Sequence, residues 1–86
     1  MAEYKIKISS AAEKTLRKIP KKDLSKLLEA IKSLSLNVYP DGCRKLEGEE
    51  DVFRVRHGHY RIVYEVHKKV LLILILKVGH RKDVYR

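Results

Sequence analysis

The sequence predicts an α+β fold: an antiparallel β-sheet with two N-terminal helices packed on one face, in the order β-α-α-β-β-β. Three observations carry this. Residues 4–8 alternate apolar and charged with period two. Two apolar stripes at helical spacing follow. Three more strand-like runs then come in quick succession, separated by turns of hairpin length. At 86 residues the chain makes a single domain, 1–86.

In the first strand, Tyr4, Ile6 and Ile8 share the inward face, with Lys5 and Lys7 outward. Ser10 and Glu13 have capping-box spacing, so a helix is expected to start there. Ala12, Leu16 and Ile19 supply its buried stripe. Pro20 ends that helix and can open the next, because a first-turn proline loses no helical hydrogen bond. Leu24, Leu27, Leu28, Ile31 and Leu34 then recur at 3.6-residue spacing, the clearest helical signal in the chain. Lys21, Lys22, Lys26 and Lys32 fall off that stripe and read as a solvated outer face. Residues 37–51 form a connection with a Pro-Asp-Gly turn at Pro40 to Gly42, a second glycine at Gly48, and an acidic patch of Glu47, Glu49, Glu50 and Asp51.

Residues 52–56 alternate again, with Phe53 and Val55 on one face and Arg54 and Arg56 on the other. Residues 60–66 place Tyr60, Ile62, Tyr64 and Val66 together. Residues 70–76 are continuously apolar, as a central strand covered on both faces would be. Gly58 and the stretch His67-Lys68-Lys69 mark the hairpin turns. Residues 77–86 read as a basic tail leaving that strand.

Twenty Lys and Arg against eleven Asp and Glu leave a formal charge of +9. That excess suits a polyanion or an acidic protein partner. Cys43 is the single cysteine, which excludes an internal disulfide and any Cys-based zinc cluster and fits a reducing, cytoplasmic setting. The start of the chain has no signal-peptide core. Its longest apolar run, residues 70–76, falls well short of the ~20 residues of a membrane span.

The chemistry is expected where arginine gathers. Arg54, Arg56 and Arg61, together with His80, Arg81 and Tyr85 just past the apolar run, are expected to converge on one concave surface if their strands are neighbours. Arginine presents a planar fork of donors that matches phosphate. A tyrosine among arginines can stack on a base. Of the histidines, His80 is the best placed to carry a proton, with Arg81 and Tyr85 close in sequence. His57-Gly58-His59 reads as a turn. The histidine spacing matches no zinc pattern, so neither a metal nor a cofactor is expected. Tyr4, Tyr60 and Tyr64 read as core, and Tyr39 as turn packing.

Four segments together resemble the RelE/ParE toxin superfamily: Lys45-Leu46-Glu47-Gly48; Phe53-Arg54-Val55-Arg56; Gly58-His59-Tyr60-Arg61-Ile62-Val63-Tyr64-Glu65-Val66; and Val78-Gly79-His80-Arg81-Lys82-Asp83-Val84-Tyr85-Arg86. The resemblance spans nearly the whole chain. It implies a toxin of a toxin–antitoxin pair, RelE-like: a ribosome-dependent endoribonuclease that cuts mRNA in the A site without a metal, by attack of the 2′-hydroxyl on its neighbouring phosphate. It implies catalytic roles for Arg61, Arg81 and Tyr85 and RNA binding by Arg54 and Arg56, to which the reading of the residues adds His80 in the catalytic set and Lys45 in the RNA-binding set. It also implies a RelB-like antitoxin, acidic or amphipathic, as partner, with DNA met only through that antitoxin and no membrane. The second-strand positions are often lysine in the family and are arginine here. Arginine is a poor base, so the 2′-proton falls to another group (His80, His57, Lys45 or Glu49) or the arginines act through charge. A ParE-like inhibitor of DNA gyrase, not an enzyme, is the alternative that the same resemblance leaves open.

Overall fold

The computed structural model describes residues 3–80. Its elements are β1 (Lys5–Ile8), α1 (Ser10–Arg17), α2 (Lys21–Ser33), β2 (Arg44–Lys45), β3 (Val52–His57), β4 (Tyr60–His67) and β5 (Leu72–His80). The strands form one sheet in the order β1-β5-β4-β3-β2. Both helices pack on one face, and the predicted α+β order stands with one added strand.

The core lies between that face and the helices. Ala12, Leu16 and Ile19 from the first helical segment, and Leu27, Ile31 and Leu34 from the second, are buried against Ile62, Tyr64 and Val66 of β4 and Ile73, Ile75 and Val78 of β5. Ile6, Ile8, Phe53, Val55 and Tyr60 pack on its margin. Tyr64 is fully buried, and its hydroxyl donates to the Val38 carbonyl at 2.6 Å. Leu28 is the exception to the helical stripe, at 41% exposed. It lies at the edge of an arc that Leu27 and Ile31 centre on the sheet.

Four departures from the sequence reading have physical causes. First, α1 is capped by Ser9 and not Ser10: the Ser9 hydroxyl accepts from the Ala12 amide at 3.1 Å. The same hydroxyl donates to the Leu76 carbonyl at 2.8 Å. A cap that also ties the helix to β5 displaces the purely local capping box. Second, β1 pairs with β5 in parallel, Lys5 opposite Leu72 and Ile8 opposite Ile75, so the sheet is not wholly antiparallel. The two helices return the chain across the sheet, and β1 is left at its edge beside the last strand. Third, Arg44–Lys45 adds a two-residue edge strand antiparallel to β3, inside a stretch expected to be connection only. Fourth, β5 begins two residues later than the apolar run and continues through His80. Val70 and Leu71 lie in the turn, where Leu71 takes a positive φ of 51°. Nor is β5 covered on both faces: Ile73 and Ile75 are buried, while Leu72, Leu74 and Leu76 are only half-buried on the face the helices leave open.

Candidate functional site

Strand alternation builds the site on the open face. Directly opposed residues of neighbouring strands project to the same side. Arg56 pairs with Arg61, Arg54 with Val63, and Arg44 with Arg54. All four arginines therefore stand on the face away from the helices, because their alternates Phe53, Val55, Tyr60 and Ile62 belong to the core side. They line a concavity of about 320 Å³ together with Gly42 and Val55. None of these lining residues is acidic.

The hairpin turn sets this geometry. Gly58 and His59 join β3 to β4, and Gly58 sits at φ +62° in the first central position, the conformation a tight hairpin asks of glycine. A slip of one residue would carry Arg61 to the helix side. Two like-charge pairs, Arg44 with Arg54 and Arg56 with Arg61, lie directly across the ladder. Opposed like charges disfavour a sheet by a few tenths of a kcal/mol to about 1 kcal/mol each. A fold that keeps two such pairs side by side holds a surface ready for a polyanion. Arg61 is the anchor of the set at 7% exposed, with Val52 and Val63 buried beside it on the same face. Arg54 is half-buried, and Arg44 and Arg56 are exposed.

The remaining expected residues distribute differently. Lys45 pairs with Phe53 and so turns to the other side of the edge strand. It is exposed and lines a neighbouring hollow with Arg44, Leu46, Glu47 and Arg54. His80 pairs with Tyr60, whereas Arg61 pairs with Gly79. His80 is therefore one step out of phase with the arginines and does not join them. It stands at the hairpin end of the sheet, its ring 6.0 Å from that of Tyr60 and 6.1 Å from that of His59. His57 belongs to β3 and not to the turn. With Gly58, His59, Tyr60, Asp23 and Lys26 it lines a second hollow there. The Tyr60 hydroxyl donates to Asp23 Oδ2 at 3.0 Å. Desolvation, reinforced by the Asp23 carboxylate, raises the Tyr60 phenol above its ordinary value. Arg81 and Tyr85 lie outside the described residues. Arg44 is the member that sequence reasoning missed, since a two-residue strand is too short to show a period. Among the described residues, no three or more His, Cys, Asp or Glu side chains are placed to hold a metal ion. No described helix is long and apolar enough to cross a membrane.

Residues 6–85 match the family described as the ParE toxin of the type II toxin–antitoxin system parDE. The chain is 33% identical to a protein named Toxin RelG from Mycobacterium tuberculosis, over 96% of this chain and 97% of that one. Among solved structures it resembles a chain of the archaeal RelE–RelB complex from Pyrococcus horikoshii, with a TM-score of 0.83, 33% identity, and coverage of 95% of this chain and 99% of that one. It also resembles a chain of the RelBE2 toxin–antitoxin complex from M. tuberculosis, with a TM-score of 0.81 and 28% identity over 93% of this chain and 100% of that one.

Proposed function

Because the chain belongs to the ParE toxin family of type II toxin–antitoxin systems and is RelE-like, we propose that it is an endoribonuclease that cuts mRNA in the ribosomal A site. The observation that supports this reading is the arginine-lined concavity centred on Arg61. In the reaction, the 2′-hydroxyl attacks the adjacent phosphorus as its proton passes to a base. The P–O5′ bond breaks and the leaving oxygen takes a proton, so the products are a 2′,3′-cyclic phosphate and a 5′-hydroxyl. No metal is required, since the charge gathering on the phosphorane oxygens can be met by guanidinium donors.

Arg61 is the donor best suited to the scissile phosphate: it is buried, held in the sheet and preorganised. Arg54, Arg56 and Arg44 bind flanking phosphates, with Lys45 at the rim. Arg81 contributes a second charge from the far side or helps protonate the leaving oxygen, and Tyr85 orients a base. The four arginines of the concavity do not take the 2′-proton, because guanidinium stays charged at any physiological pH.

An antitoxin partner belongs to the same reading. The open face carries Leu72 and Leu74 opposite Lys5 and Lys7. Half-buried leucines flanked by lysines suit an amphipathic, acidic, RelB-like segment. Such an antitoxin would be the DNA-binding member of the pair.

The test is primer extension on a defined mRNA after adding the purified protein, with and without programmed ribosomes. Cuts at the A-site codon only when ribosomes are present are expected. Absence of cuts under both conditions, together with inhibition of gyrase supercoiling, would replace the nuclease with the gyrase-binding activity.

A further inference from the structure

We infer that the tip of the β3–β4 hairpin is a nucleobase subsite, in which one base of a single-stranded RNA seats against the rings of His59 and His80. The inference rests on the RNA-cutting reading above and assigns two side chains outside the arginine concavity.

The ring geometry is the first argument. The His59 and His80 rings are nearly parallel, 11° apart, with centroids separated by 6.1 Å. Near-parallel rings with centroids about 4.5–7 Å apart form an offset stack. The pair thus offers two flat ring faces side by side as a platform for a third ring. Both histidines are exposed, so a base can approach without displacing core. Aromatic faces on which single-stranded bases stack are the common device of RNA binding.

The second argument is position. Gly58 and His59 form the turn that joins the β3 and β4 ends, and His57, Tyr60 and His80 form the last row of the sheet. The row before it holds Arg56, Arg61 and Gly79. One residue along a strand is about 3.3 Å. The two rows point to opposite faces of the sheet, so a strand of RNA with a phosphate on Arg56 and Arg61 reaches the histidines by passing over the exposed hairpin tip between them.

The third argument is the polar group at the back of the hollow. Asp23 lines the same space of about 400 Å³ as His57, His59 and Tyr60. Tyr60 occupies one of its acceptor positions. A carboxylate has about four such positions, so Asp23 retains the capacity to accept from a base. Carboxylates accept from base amino groups. The subsite should accordingly prefer adenine, guanine or cytosine to uracil, which has no amino group.

The experiment is an NMR titration of the full-length protein with adenosine 5′-monophosphate, uridine 5′-monophosphate and ribose 5-phosphate as the baseless control. Histidine Cε1–H and arginine Nε–H resonances are followed together. Adenosine monophosphate is expected to move the His59 and His80 signals upfield, as stacking does, and to bind about tenfold tighter than ribose 5-phosphate, the scale of one base–aromatic stack. Uridine monophosphate should fall between them. His59→Ala should bring adenosine monophosphate and ribose 5-phosphate to equal affinity, and His59→Phe should restore the difference. Arginine signals that answer all three ligands while the histidines answer none would remove the subsite and leave the RNA reading standing. Undiminished base discrimination in His59→Ala would also remove it. No response from either residue type would overturn both.

Discussion

Arg61 and Arg56 face each other across the ladder but, in the proposed RNA-cutting role, would differ in what they lose on binding phosphate. Arg61 is 7% exposed, so its side-chain freedom was surrendered on folding and little is lost when a phosphate arrives. Arg56 is exposed and must be ordered at that moment. The pair should therefore separate kinetically. Arg61→Lys keeps the charge but loses the planar fork, and is expected to lower the cleavage rate at saturating substrate by roughly 10²-fold, the cost of one preorganised donor. Arg56→Ala should act mainly on KM. Single-turnover cleavage on programmed ribosomes measures both, and equal effects on the rate constant would refute the division. Tyr64 gives a prediction for the core. Its burial, with the Cys43 thiol beside it, raises the phenol far above its ordinary value. The sign follows from linkage: the unfolded chain releases this proton near pH 10 while the folded chain retains it, so stability is full below pH 10 and falls as pH rises further. Tyr64→Phe should cost about 1 kcal/mol at neutral pH through the lost bond to the Val38 carbonyl. It should also flatten the alkaline limb, as urea titrations at pH 7 and pH 11 would record.

At the scale of the element, the β3–β4 hairpin joins structure to function. Its turn fixes the register, and the register decides which residues reach the open face. Gly58 holds φ +62° with no atom near the position of an added Cβ. The cost of Gly58→Ala is therefore backbone strain alone, about 1 kcal/mol. For a domain of this size that lowers Tm by roughly 4–8 °C, measurable by calorimetry. An unchanged Tm would mean that the turn relaxes to a form that tolerates a side chain. The α1 entry works by a similar economy. Ser9 serves as helix cap and as donor to β5 with a single hydroxyl, which joins the start of the first helix to the strand beside β1.

The described residues span 34 × 27 × 25 Å and the chain carries a formal charge of +9, so its field reaches well beyond its surface at low salt. Polyanion binding should be strongly salt-dependent. If the four arginines of the concavity each meet a phosphate of single-stranded RNA, log Kd rises against log salt with a slope of about 3, near 0.7 per contact. Arg56→Ala should reduce that slope by about 0.7. Anisotropy titrations of a labelled oligoribonucleotide between 50 and 300 mM salt would test this, and a slope near 1 would mean that the arginines do not act together on phosphate. The same charge explains why two faces of the sheet can have different roles. The helices neutralise the apolar demand of one face, and the other is left to basic residues and half-buried leucines.

Much of this was legible in the sequence because it is local. Period-two alternation in residues 52–56 and 60–66 put the arginines opposite the core residues, and the 3.6-residue stripe from Leu24 to Leu34 marked the longer helix. Those signals report which side of an element is apolar, and burial of apolar surface dominates folding. What the local pattern does not carry is phase between elements. The parallel seat of β1 beside β5 depends on hydrogen bonds such as Ser9 to Leu76, 67 residues apart. The strand made by Arg44 and Lys45 exists only because β3 offers it a partner. The separation of His80 from Arg61 follows from a register across β4 and β5 that includes an irregularity between Val63 and Tyr64. Residue types and faces were thus determined by the sequence itself. Which arginines meet, and which histidines stand apart from them, was decided only by tertiary pairing, because a single residue of register moves a side chain to the other side of the sheet.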